Sequence, residues 1–315
     1  MTPPDADDLV RRLLAGERHA LARVLTLVEA GLPAGRRALT LLYPRTGRAH
    51  TAGITGGSGS GKSTLAAALA KELRRRGRTV GIVAVDPSSP FTRGALLGDR
   101  IRMQELTRDP EVFVRSMATR GELGGLAPAT AEAVAVLDAA GKDVVLIETV
   151  GAGQDEVEVA SAADTTVVVL TPGGGDEVQA MKAGIMEVAN VLVVNKADLA
   201  GADVLLAQLR GMVNQAGRGR RETPVIATIA TKGEGVAELA DALEEHRRGL
   251  AESGELERQR AGRARRQLLA LVREHLLDGL LRDGARAARL EELAGAVARR
   301  ELDPYAAARW LIERT

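Results

Sequence analysis

Residues 56–63 read Gly-Gly-Ser-Gly-Ser-Gly-Lys-Ser, the G-x-x-x-x-G-K-S spacing of a Walker A loop. The run directly follows the β-branched stretch TAGIT at 51–55 and opens the helical stretch KSTLAAALAKELRRRG. Glycines in such a loop let successive backbone N–H groups turn toward one point and approach an anion closely. The start of the helix adds its partial positive charge. Gly57, Ser58, Gly59, Ser60 and Gly61 are therefore expected to cradle phosphate, with Thr64 in the first helical turn. Lys62 would reach the outer phosphates and Ser63 would ligate Mg²⁺. The strand–loop–helix setting commits this part of the chain to an α/β architecture.

Six further β-branched runs follow: TVGIVAVD (79–86), VFVRS (112–116), DVVLIE (143–148), TTVVVL (165–170), VLVVN (191–195) and PVIATI (224–229). Nearly all are continuous rather than alternating in polarity, as in strands covered on both faces. Helical periodicity fills 62–76, 128–140, 177–188, 202–216 and 235–248. This alternation predicts a doubly wound, mostly parallel sheet over residues 49–248. A helical extension over 1–48 precedes it, in which Leu9, Leu13, Leu14, Leu21, Leu25 and Val28 recur at helical spacing, with a break at Gly16 and a stop at Gly31. From 249 to 315 the chain turns helical and strongly charged. Its stripe of Leu268, Leu269, Leu271, Val272, Leu276, Leu277, Leu280 and Leu281 fits a solvated arm, a contact with a second copy, or packing on the parent domain. Tyr305 and Trp310 read as packing anchors of the last helix.

Composition narrows the function. Of the 315 residues 45% are apolar and only 2% aromatic, so a core of Ala, Val and Leu is expected. Lys plus Arg number 43 against 42 Asp plus Glu, which argues against nucleic-acid capture over the whole surface. The lack of cysteine excludes disulfides, thiolate metal sites and cysteine nucleophiles. The acidic opening MTPPDADDLV is unlike a secretory signal, and no stretch reaches the ~18 apolar residues of a membrane span. The chain reads as cytoplasmic, with no membrane partner.

The base is read elsewhere. Asn195-Lys196-Ala197-Asp198 follows a buried strand at the end where ligands of such sheets sit. A carboxylate at Asp198 can accept from both N1–H and the 2-amino group of guanine, which adenine lacks, and an unmatched buried acceptor costs about 1–3 kcal/mol. Asn195 would brace the loop and Lys196 would lay its stem along the base. The loop TIATKGEG at 228–235 is placed to offer the Ala230 backbone N–H to the guanine oxygen. Asp86 and Asp99 are candidate Mg²⁺ ligands, directly or through water. Glu148 and Gly151 form an acidic-x-x-Gly switch in which the Gly151 N–H meets the γ-phosphate. Gln154 is a candidate for positioning water, Arg120 for phosphate, and Gln179 with Lys182 could swing toward nucleotide or partner. The four histidines, His19, His50, His246 and His275, show no metal-ligand spacing.

Taken in order, GGSGSGKST, VDPSSP with GALLGDR, ATRGELGG, DVVLIETVGAGQDEVEVA, PGGGDEVQAMKAGIMEVAN and NKAD resemble the MeaB/ArgK family of methylmalonyl-CoA mutase-associated P-loop GTPases. The resemblance implies a G domain with helical extensions and a C-terminal dimerisation arm. It implies GTP/GDP and Mg²⁺ as bound groups, with Ser63, Asp86, Asp99 and Glu148 around the metal and Lys62, Asp99, Glu148 and Lys182 as the catalytic set. It also implies slow GTP hydrolysis that a partner stimulates, and a chaperone role for an adenosylcobalamin-dependent acyl-CoA mutase, with a cobalamin adenosyltransferase as a further partner. Rival readings are a metallocentre-assembly GTPase of the hydrogenase or urease type, an energising subunit for basic amino-acid uptake, and a nucleotide-locked dimeric scaffold. A chain without cysteine is poorly equipped for nickel.

Overall fold

The computed structural model describes residues 5–86, 105–118, 128–149, 162–173, 188–216, 223–282 and 284–313. Among them seven strands form one sheet: β1 (His50–Gly56), β2 (Val80–Asp86), β3 (Val112–Ala118), β4 (Val144–Thr149), β5 (Thr165–Leu170), β6 (Val191–Asn195) and β7 (Val225–Thr228). Their order is β3-β2-β4-β1-β5-β6-β7, and every pairing is parallel. Each β-branched run of the sequence is thus a strand. The chain leaves β1 toward one edge, returns at β4, and crosses β1 to build the other edge. Strand order therefore reverses beside β1, and in open α/β sheets the crevice outside the carboxyl ends at such a point receives the ligand.

Helices cover both faces. On one, α4 (Lys62–Arg75) and α7 (Val236–Glu252) pack through Leu65, Leu69, Leu73, Leu239 and Leu243 onto a row that includes Ile54, Ile82, Leu146, Val169 and Val193. The other is shared. Helix α6 (Ala202–Ala216) covers Val168, Leu170, Leu192 and Val194. At the opposite end α5 (Pro128–Ala139) and the N-terminal helices cover Val83, Val85, Phe113 and Val145. Adjacent strand residues bury on opposite faces, which is why the runs read as continuous apolar stretches.

The N-terminal helices are α1 (Ala6–Leu14), α2 (Arg18–Glu29) and α3 (Pro33–Leu42). The Asp5 side chain caps α1 by accepting from the Asp7 N–H at 3.0 Å. Helix α3 follows the stop expected at Gly31 and starts with Pro33, whose missing N–H costs nothing at the first helical position. Asp138 of α5 accepts backbone N–H bonds from Gly47, Arg48 and Ala49, pinning the approach to β1.

The chain divides into two compact units, Met1–Gln259 and Arg260–Thr315. Helix α8 (Glu255–Arg282) carries the leucine stripe, and Leu268, Leu269, Val272, Leu276 and Leu277 are 45–69% exposed. Helices α9 (Gly284–Ala298) and α10 (Pro304–Glu313) pack on each other, and Leu293 and Ala307 are their buried positions. The expectation for the two aromatics fails here: Tyr305 is 82% exposed, and Trp310, 46% exposed, lies against the Arg289 guanidinium at 5.6 Å. The helix expected over 177–188 falls, up to residue 187, outside the described residues.

Candidate functional site

The site grows from the C-terminal end of β1. Gly61 takes φ +90°, a left-handed conformation, immediately before α4 begins at Lys62. A Cβ there would also collide with Asn195 Nδ2. Glycine is needed at this position for backbone and for space. The Ser60 N–H donates to the Gly57 carbonyl at 3.2 Å, closing the turn of the loop. Lys62 is only 6% exposed, and its ammonium donates to the Gly56 and Gly57 carbonyls, both at 2.8 Å. A cation is thus held against the loop whose N–H groups would face an anion. Ser58 and Gly59 are exposed on the loop's outer turn, and Ser63 and Thr64 are half-buried in the first turn of α4.

Strand periodicity delivers the acidic partner. Val144 and Leu146 of β4 bury on the α4 face, so Glu148, next in that row, emerges over the start of the helix. It accepts a hydrogen bond from the Ser63 hydroxyl and is itself buried. The neighbouring strand places Asp86 at its end, two residues beyond Ala84, the register partner of Glu148. Asp99, Gly151 and Lys182 lie outside the described residues, as do Arg120, Gln154 and Gln179. Among the described residues no group of three or more His, Asp or Glu could by itself hold a metal ion.

Asn195 ends β6 and joins three segments. Its Nδ2 donates to the Ser60 carbonyl at 2.8 Å, and its Oδ1 accepts from the Thr228 hydroxyl at 3.1 Å and the Ala230 N–H at 3.2 Å. The 56–63 loop, the loop after β6 and the loop after β7 are thereby one hydrogen-bonded body. Lys196 follows with φ +56°, unusual for a residue with a side chain, and its ammonium donates to the Gly59 carbonyl at 2.8 Å. Such backbone strain persists only where surrounding contacts over-determine it, and it gathers at functional sites. Asp198, partly exposed, has Lys232 Nζ at 3.6 Å from its Oδ2. The structure therefore brings Gly57–Thr64, Glu148, Asn195, Lys196, Asp198 and Ala230 to the C-terminal edge of one sheet. Sequence reasoning missed Thr228 and Lys232. Thr228 matters through its register with Asn195, which no local pattern reveals, whereas Lys232 was visible as the cation of the 228–235 loop.

At the other end of the sheet the Thr165 hydroxyl lies 2.8 Å from both His50 Nε2 and His246 Nδ1, joining two histidines far apart in sequence. Among the described residues no helix is long and apolar enough to cross a membrane.

The family model described as methylmalonyl Co-A mutase-associated GTPase MeaB matches residues 21–285. A Pyrococcus abyssi protein is 46% identical over 311 residues, covering 98% of this chain and 96% of its own. The GTPase ArgK of Escherichia coli is 37% identical over 281 residues, covering 86% of this chain and 85% of its own. Among solved structures, one described as an LAO/AO transport system kinase superposes with a TM-score of 0.74 at 28% identity, covering 99% of this chain and 98% of that one.

Proposed function

The chain belongs to the MeaB family of methylmalonyl Co-A mutase-associated P-loop GTPases, and from that premise we propose that it is a GTP-hydrolysing chaperone that gates cobalamin loading or protection in an adenosylcobalamin-dependent acyl-CoA mutase. Membership in this family implies a bound guanine nucleotide. The observation that best supports the mechanism is the single hydrogen-bonded body formed by Ser60, Asn195, Thr228 and Ala230, because it links the phosphate end of the site to the base end.

Each residue's role follows from its place. Backbone N–H groups of 57–61 and the N-terminus of α4 would hold the phosphates, with Lys62 supplying the cation there. Ser63 and Glu148, in direct contact, are hard oxygen donors of the kind Mg²⁺ prefers, and with Asp86 and Asp99 they form the set we propose for it. When bound, Mg²⁺ neutralises charge on the phosphate oxygens. Asp198 would accept from the guanine edge, and Lys196 would cover one face of the base. Gly151 and Lys182 are proposed to respond to the γ-phosphate and to the mutase. A cobalamin adenosyltransferase is a further proposed partner, and the cytoplasm the proposed setting. The exposed leucines of α8 are proposed to pair with a second copy, since a stripe of this width needs a partner surface.

Steady-state phosphate release from GTP, with and without purified acyl-CoA mutases, tests the reading. We expect slow release alone and at least severalfold faster release with the cognate mutase. A rate that no such mutase changes would overturn the chaperone role, and GTP that stays bound without turnover would favour a scaffold.

A further inference from the structure

The N-terminal edge of the sheet, the end away from the proposed nucleotide site, carries a cavity of about 490 Å³. Small-molecule sites are clefts of roughly 300–1,000 Å³, so this one has room for a ligand. It lies beneath the starts of β6 and β7, between α6 and α7, the two helices that cover opposite faces of the sheet. Val213, Val225 and Ala242 give it an apolar wall.

Two of its polar residues are held by consecutive residues of β5. The Thr165 hydroxyl lies 2.8 Å from His246 Nδ1 and is backed by His50 Nε2 at 2.8 Å, which fixes the His246 ring from inside the fold. Thr166 exchanges two bonds with Asn190: its N–H donates to Asn190 Oδ1 at 2.8 Å, and its carbonyl accepts from the Asn190 N–H at 2.9 Å. Both threonines are fully buried, so the two lining residues are set in place before any ligand arrives. With Oδ1 engaged, the Asn190 amino group keeps its hydrogens for the cavity.

Arg210 of α6 and Glu245 of α7 complete the lining. Among the described residues neither side chain forms an ion pair or a hydrogen bond. Single charges on helix surfaces are ordinary, but these two enter one cavity from opposite layers and stand too far apart to pair with each other. A ligand that meets both must carry opposite charges at its two ends. We propose that this cavity binds a small zwitterion with an aliphatic body, its carboxylate on the Arg210 guanidinium and the Asn190 amino group, its ammonium on Glu245. The guanidinium fork matches a carboxylate in shape as well as charge. A free amino acid and a short peptide share this chemistry. The site goes beyond the GTPase reading, since it uses none of the residues assigned there to nucleotide or metal.

The test titrates the full-length chain with leucine, leucyl-leucine, N-acetyl-leucine, which lacks the ammonium, and leucinamide, which lacks the carboxylate. Both zwitterions should bind, and the tighter of them identifies the source as amino acid or peptide. N-acetyl-leucine and leucinamide should each bind at least roughly tenfold more weakly than leucine, the low end for losing a hydrogen bond to a charged group. Arg210→Met should weaken leucine and leave leucinamide as it was, and Glu245→Gln should weaken leucine and leave N-acetyl-leucine as it was, with thermal unfolding unchanged in both. Binding of neither zwitterion overturns the proposal. So does N-acetyl-leucine that binds as tightly as leucine, which describes a plain anion site, or leucine binding that neither variant alters, which places it elsewhere.

Discussion

Gly61 shows how much one hydrogen atom can carry. Its left-handed backbone and its contact with Asn195 place the 56–63 loop and the loop after β6 against each other, so Gly61→Ala must displace one of them. We expect Gly61→Ala to weaken GDP and inorganic pyrophosphate alike, at least tenfold by isothermal titration, while the protein remains folded. Lys62 acts through charge rather than space. Its ammonium already sits on the Gly56 and Gly57 carbonyls, so Lys62→Ala removes a cation from a built position. Tight GTP binding should be lost, and retained micromolar affinity would contradict the phosphate-cradle role.

Helix α4 carries the phosphate loop at one end and a charged clasp near the other. Glu72 accepts from Arg75 and from Arg76 at 2.8 Å, and Arg76 reaches across to Asp241 at 2.6 Å and the Ala237 carbonyl at 2.9 Å on α7. Hydrogen bonds from Arg75, then Arg76, hold the Glu72 carboxyl down at about 2, against an ordinary value of 4.5. A depressed carboxyl stabilises the fold fully above its unfolded value and loses that contribution as pH falls through its folded one. Because Arg75 is 71% exposed, solvent screening limits the contribution to about 1 kcal/mol. Glu72→Gln should therefore lower the unfolding free energy by about that amount at pH 7 in urea titrations. The gap to wild type should close between pH 4.5 and about 2, and a gap independent of pH would show that the clasp is not electrostatic.

At the scale of the whole molecule the exposed α8 stripe is the surface proposed above to meet a second copy. Leu276 and Leu277 are 69% and 59% exposed, more than a long leucine-bearing helix leaves to water without a partner. If two copies associate here, Leu276→Lys combined with Leu277→Lys should turn a dimer into a monomer in sedimentation equilibrium and leave GDP affinity unchanged, since no residue of the nucleotide site is altered. A dimer that survives both lysines places the contact elsewhere.

Much of the candidate site is built from local motifs, and the structure brings several of them together. A phosphate loop needs glycines, a lysine and a helix start within eight residues, so Gly56–Ser63 carries its own setting. The seven strands were equally legible, because a parallel sheet covered on both faces leaves continuous β-branched runs. The exposed Tyr305 was not, since partner surfaces rather than local pattern decide whether such a residue packs. Only the folded chain could show that Glu148 lies over Ser63, that Thr228 stands in register with Asn195, and that Asn195 ties Ser60 to Ala230. Those relations join residues from separate strands and turns, and strand order and register, which set them, are properties of the sheet rather than of any segment in it.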